Sequence, residues 1–141
     1  MRLAIIDGQG GGIGKNIITR FRKEVGKESH ILALGTNALA TAAMIKAGAT
    51  DGATGENAIV RNVSQVDVVV GTINILCAHS MLGELTPAMA EAVAASPALK
   101  LLLPLTRLDV EVMGVKEEPM PHYVDMLLSR LKSITGGKED V

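Results

Sequence analysis

Nine residues constrain this chain more than any others. Asp7-Gly-Gln-Gly-Gly-Gly-Ile-Gly-Lys15 gathers five of the 15 glycines into seven positions, directly after the apolar run Leu3-Ala-Ile-Ile6. Beyond it Ile13, Ile17, Ile18, Phe21 and Val25 recur at helical spacing, with Lys15, Asn16, Arg20, Arg22, Lys23 and Glu24 on the opposite side and Gly26 as a stop signal. A short unbroken apolar run reads as a buried strand, so the order is strand, glycine loop, helix. Glycine reaches positive φ without strain and lets another group approach the backbone, while the helix behind it offers unpaired N–H groups and a partial positive charge. The loop is therefore either a tight structural turn or an anion site. One or two glycines suffice for a turn, and five favour phosphate.

The same unit recurs along the chain. His30-Ile-Leu-Ala-Leu34 is a second strand, followed by Gly35, a cap at Thr36 or Asn37, and an Ala-rich helix through Ala47 that Gly48 ends. This helix is apolar almost all round and should be buried on more than one side. A third strand falls at 49–53, with Thr54 capping a helix from about Gly55 to Asn62. Further strands lie at Asp67-Val-Val-Val70 and at Leu99-Lys-Leu-Leu-Leu103, the latter closed by Pro104, and Thr86-Pro87 marks a helix start between them. The stretch 73–85 has no clear pattern. Leu108, Val110 and Val112 alternate with Asp109 and Glu111, as expected of an edge strand with one wet face. Tyr123, Val124, Leu127, Leu128, Leu131 and Ile134 form an amphipathic helix, and a polar tail that frays is expected over 136–141.

Strands alternating with helices specify a three-layer, Rossmann-like α/β domain over 1–135, with a mainly parallel sheet and helices on both faces. Ligands of such sheets bind beyond the carboxyl ends of the strands where the winding reverses, here between loops 7–16 and 71–80. Composition narrows the ligand. Fourteen Lys and Arg against 15 Asp and Glu, with one Tyr, one Phe and no Trp, argue against nucleic acid, which needs cationic surplus and stacking rings. No apolar run approaches the roughly 20 residues of a membrane span, so no membrane is expected. One cysteine forms no intrachain disulfide, and Met1 leads into a strand with no leader pattern, which points to the cytoplasm. A mean hydropathy of +0.30 suggests apolar surface buried against a second copy, hence a homo-oligomer.

The loop matches no phosphate motif completely. The dinucleotide pattern G-x-G-x-x-G fails in every register. The loop resembles that of the short-chain dehydrogenases, whose G-x-x-x-G-I-G is met by Gly8, Gly12, Ile13 and Gly14. Their usual threonine is replaced by Asp7, which would repel a pyrophosphate unless turned away, protonated or holding a cation. Their Tyr-x-x-x-Lys is absent, since Leu127 stands four residues after Tyr123. Walker-type nucleotide binding would align Gly14-Lys15 but needs glycine at Gln9 and a hydroxyl at Asn16. After the second strand, Gly35-Thr36-Asn37 offers neither a carboxylate for ribose hydroxyls nor an arginine for a 2′-phosphate. Cys77, His79, Ser80 and Glu84 suggest a thiol, a base and a carboxylate, but one Cys and three scattered His make a structural zinc improbable, and no metal is expected. His30 and His122 show no evident partners.

Through residues 6–15, Gly35-Thr-Asn-Ala38, Ala53-Thr-Gly-Glu-Asn57 and Ser80-Met-Leu-Gly-Glu84, nearly the whole chain looks like a family of small uncharacterised bacterial proteins. The resemblance implies a Rossmann-like domain and supplies no catalytic residues. Binding is expected at Asp7, Gly8, Gln9, Gly10, Gly11, Gly12, Gly14, Lys15, Thr36, Asn37, Thr72 and Ser80. The partner is expected to be a phosphate-bearing small molecule, with NAD(P) or another nucleotide as cofactor. Asp7, His79 and Glu84 are the candidates for proton transfer should chemistry follow. The alternatives are a non-catalytic homo-oligomeric scaffold or regulatory subunit packing through 38–47 and 88–95, and a small sugar-phosphate enzyme using Gly35-Thr36 and Thr54-Gly55.

Overall fold

A computed structural model describes residues 1–139, with side chains described through residue 136. Five strands, β1 (Arg2–Asp7), β2 (His30–Gly35), β3 (Asp51–Thr54), β4 (Val68–Thr72) and β5 (Leu99–Leu103), form one sheet in the order β3-β2-β1-β4-β5. Every pairing is parallel. The order reverses between β1 and β4, as a doubly wound sheet requires, and this places the crevice where the connections from these two strands diverge.

The helices are α1 (Gly12–Glu24), α2 (Ala38–Ala47), α3 (Glu56–Asn62), α4 (Pro87–Ala95) and α5 (Met120–Glu139), with a 3-10 turn over Ile73–Leu76. Alternate residues of the central strands feed two cores. Leu3, Ile5, Ile31, Ala33, Val68 and Val70 face Ile17, Ile18 and Phe21 of α1, Met44 of α2, and Val124, Leu127, Leu128 and Leu131 of α5. Ala4, Ile6, Leu32, Leu34 and Val69 face Ile59 and Val63 beside α3, and Met89, Ala90 and Val93 of α4. Because both faces are covered, these strands read as continuous apolar runs rather than alternating ones. Complete burial of each Ile, Leu or Phe contributes about 1.5–3 kcal/mol, which makes the two cores the main source of stability.

Three expectations need correction. Residues 108–112 form no strand: the Leu108 N–H bonds back to the Thr106 hydroxyl and the Val110 N–H to the Leu108 carbonyl, so local turns replace a ladder. Leu108, Val110 and Val112 are exposed, and β5 is left as the sheet edge. The second helix is buried on one side, through Ala40, Thr41 and Met44, while Leu39 and Ile45 face outward. Thr54 does not cap α3; Gly55 holds that position, at φ 100°, and the Thr54 hydroxyl bonds to that of Thr41 instead. The final helix runs to Glu139, and of the polar tail expected over 136–141, residues 140 and 141 lie outside the described residues. No described helix is long and apolar enough to cross a membrane.

Candidate functional site

The loop after β1 meets the loop after β4 above the point of reversal. Its five glycines divide by what surrounds them. At Gly11 φ is +72°, and an added Cβ would stand 2.8 Å from the Ala40 Cα. At Gly8 it would stand 2.5 Å from both the Met81 sulfur and the Thr36 hydroxyl, and at Gly14 it would stand 2.5 Å from the Met44 sulfur. These three glycines are explained by packing. Gly10 and Gly12 are not: neither has a left-handed φ, and a Cβ on either meets nothing within 4 Å. Both are exposed, and among the described residues their N–H groups find no acceptor.

Asp7 ends β1 beneath the loop and is nearly inaccessible. Its carboxylate accepts from the Gly8 N–H at 2.8 Å and the Gly14 N–H at 2.7 Å. Burial pushes its carboxyl above the usual range, opposed by these N–H groups and by that of Ile13, while the nearby Glu84 charge adds to the rise. The side chain is thus turned inward, which removes the direct clash with a phosphate above the loop. It also offsets part of the positive end of α1, so an anion there depends on hydrogen bonds from Gly10 and Gly12 more than on the helix dipole. Lys15 shares a shallow hollow of about 280 Å³ with Gly12, Asn16, Thr19 and Arg20. Arg20 is occupied by Glu24 and Asp125, which leaves Lys15 as the cation free of ion pairs there, among the described residues.

On the β2 side the expected cap is in place at Asn37, and a carboxylate joins it. Asn37 caps α2, accepting from the Ala40 N–H at 2.9 Å, while its amide nitrogen donates to the Gln9 carbonyl and to Glu84 Oε1. The same Glu84 oxygen accepts from the Thr36 hydroxyl at 2.7 Å and the Gln9 N–H at 2.9 Å. Burial alone would raise the Glu84 carboxyl, but the three donors outweigh it and hold the group below its ordinary range. A carboxylate therefore stands at the end of β2 after all, delivered from the loop after β4.

On the β4 side a crevice of about 530 Å³ opens, lined by Gln9, Ile13, Asn74, His79, Thr106 and Arg107 among others. Ser80 is on its wall, but its buried hydroxyl is spent on the Asn74 carbonyl at 2.7 Å. Thr72 is buried, accepts from the Asn74 N–H and does not line the crevice. Of the proton-transfer candidates, exposed His79 alone faces this space; Asp7 lies beneath the loop, and Glu84 is turned to Thr36. The Cys77 thiol donates to the Ile73 carbonyl. Thr106 and Arg107 escaped the sequence reading because the alternation that follows them suggested an edge strand. Among the described residues, no three His, Cys, Asp or Glu side chains converge as a metal-holding group.

Parallel strands in this order, with a glycine loop at the reversal, define a Rossmann-like α/β domain. Residues 2–136 match the family described as "Domain of unknown function (DUF3842)", and the chain belongs to that family. No curated protein and no solved structure matches the chain.

Proposed function

We propose that the protein binds a phosphate-bearing small molecule, a nucleotide or a related compound, over the loop 8–14. The observation that carries this reading is the pair Gly10 and Gly12, whose bare, exposed backbone no packing contact requires and whose N–H groups are free. Lys15 supplies a cation beside Gly12, and the crevice gives the remainder of the molecule polar partners at Asn74, His79, Thr106 and Arg107. With one Tyr and one Phe in the chain, a base would lie against Ile13, Met81, Leu82 and Leu105 rather than between rings. An extended dinucleotide would also need the space above Gly8, which Met81 and Glu84 fill, so compact ligands fit this form better.

A thermal-shift screen of ATP, GTP, FMN, NAD, NADP and coenzyme A tests the reading. A ligand present at 100 times its Kd stabilises by about 2.7 kcal/mol, a shift of several degrees for a domain of this size. Absence of stabilisation by every compound at millimolar concentration would refute it. Gly12→Asp supplies the control. A carboxylate in the first turn of α1 supports the helix by about 0.3–1 kcal/mol yet repels phosphate, so stability should hold while the ligand-induced shift disappears.

A second reading, self-association, draws on a separate feature. An apolar hollow of about 560 Å³ beside the β5 edge is lined by Leu76, Leu102, Val112, Val115, Tyr123 and Met126. Burying such a face against a second copy would remove it from water. Sedimentation showing a monomer at high micromolar concentration would dismiss this reading.

A further inference from the structure

The Glu84 carboxylate is placed like a ligand. Three donors from two separate loops, the Gln9 N–H, the Thr36 hydroxyl and the Asn37 amide, converge on its single oxygen Oε1 at 2.9, 2.7 and 2.7 Å. None belongs to the loop that carries Glu84. Gly8 must lack a side chain for this to happen, because a Cβ there would stand 3.2 Å from Glu84 Oε1 as well as 2.5 Å from Met81 and Thr36. A convergent set of neutral donors around one oxygen recognises an oxyanion, and it does not depend on which molecule brings that oxyanion.

The loop that delivers Glu84 is strained at its turn and anchored at its ends. His79, Met81 and Leu82 all hold left-handed φ values, 68°, 57° and 56°, a region that costs non-glycine residues free energy. Ser80 and Leu85 are fully buried and fix its two ends, and bonds from Gly83 N–H to the His79 carbonyl and from Leu85 N–H to the Ser80 carbonyl close it on itself. Its tip is free, with Leu82 92% exposed. With the loop anchored, displacement of Glu84 would require only rotation about its own side-chain bonds.

We propose that Gln9, Thr36 and Asn37 form an oxyanion site which Glu84 fills as an internal stand-in, and that a phosphate or carboxylate group of the ligand takes its place. Occupied by Glu84, the site closes the β2 side of the glycine loop; vacated, it extends the binding surface from Gly10 and Gly12 across to α2. The assignment rests on the phosphate reading above only for the class of ligand, because its donors are different atoms.

Inorganic phosphate and the amide resonances of ¹⁵N-labelled protein test it. In Glu84→Ala the Gln9 and Thr36 amides should shift saturably with phosphate, at an affinity at least about tenfold above that of the unmodified protein. Adding Thr36→Val should remove the gain. Glu84→Gln discards the charge but keeps an acceptor oxygen within reach of the donors, so its affinity should stay near that of the unmodified protein. Equal gains in Glu84→Ala and Glu84→Gln would mean that only repulsion had been relieved, and would overturn the proposal. So would a gain that survives Thr36→Val. Glu84→Ser, equally short and more polar, serves with the same expected gain if Glu84→Ala does not fold. Shifts at Gly10 and Gly12 report the glycine-loop reading separately, so either can fail alone.

Discussion

Gly11→Ala should be among the most damaging single-methyl additions this chain can suffer, and the structure allows the cost to be worked out. Gly11 is the N-cap of α1 at φ 72°, ψ 17°, where a Cβ costs about 1–2 kcal/mol. That Cβ would stand 2.8 Å from the Ala40 Cα and 2.9 Å from the Ala40 carbonyl oxygen. Both are backbone atoms of α2, so no rotamer change relieves the contact; the loop or the helix must move, and overpacking of this kind costs about 1–3 kcal/mol. The two together give a loss of about 2–5 kcal/mol, a large fraction of the roughly 5–15 kcal/mol of an ordinary domain. Urea unfolding followed by circular dichroism reads this directly. With a slope of about 2 kcal/mol/M, the midpoint should fall by about 1–2.5 M. Gly12→Ala, one residue on, adds the same methyl to open space and should leave the midpoint unchanged or slightly raised. A Gly11→Ala loss below about 0.5 kcal/mol, or equal losses at both positions, would refute the division of the loop into packed and bare glycines.

Three further outcomes follow from the same geometry. Asn37→Ala removes the cap on Ala40 and a link to Gln9, and should cost about 1–2 kcal/mol in the same unfolding assay. The folded-state depression of Glu84 means that its contribution to stability is complete above its ordinary pKa of 4.5 and is lost as pH falls through the lower folded value. The stability gap between the unmodified protein and Glu84→Gln, measured from pH 7 down to pH 3, should therefore narrow below about pH 4.5. Asp7 carries the opposite sign: its raised pKa makes the ionised form a cost above that value, a cost relieved on protonation, so acid unfolding should not begin at Asp7.

The elements that position the site were legible because each rests on a local signal. Leu3–Ile6 and Val68–Val70 are apolar and buried, Asn37 and Thr86 are caps, Gly48 follows the end of a helix, and all of these hold in the structure. Where the reading failed, side-chain and turn bonds that the residue pattern does not display decided, some within a turn and some across the chain. The alternation over 108–112 mimics a strand, yet among the described residues no strand pairs with it, and the Thr106 hydroxyl and the Leu108 carbonyl take the N–H groups of Leu108 and Val110. Thr54 has the chemistry of a cap, but Thr41, facing it from α2, takes its hydroxyl. His30 gains Asp51 from the neighbouring strand, 21 residues on, and His122 gains Glu118, four residues before it. At the candidate site, residues 7–15 and 36–37 were identified from composition and position. The role of Glu84 was not, because its donors lie 75, 48 and 47 residues away in the chain.

The central claim is that the bare amides of Gly10 and Gly12 receive a phosphate group, and ¹⁵N-resolved titration of the unmodified protein with the compound giving the largest thermal shift tests it most directly. The account predicts saturable shifts at Gly10 and Gly12, with Gly48, at the far end of α2, unmoved. Saturable binding that leaves both amides in place, with shifts gathered elsewhere on the surface, would contradict it.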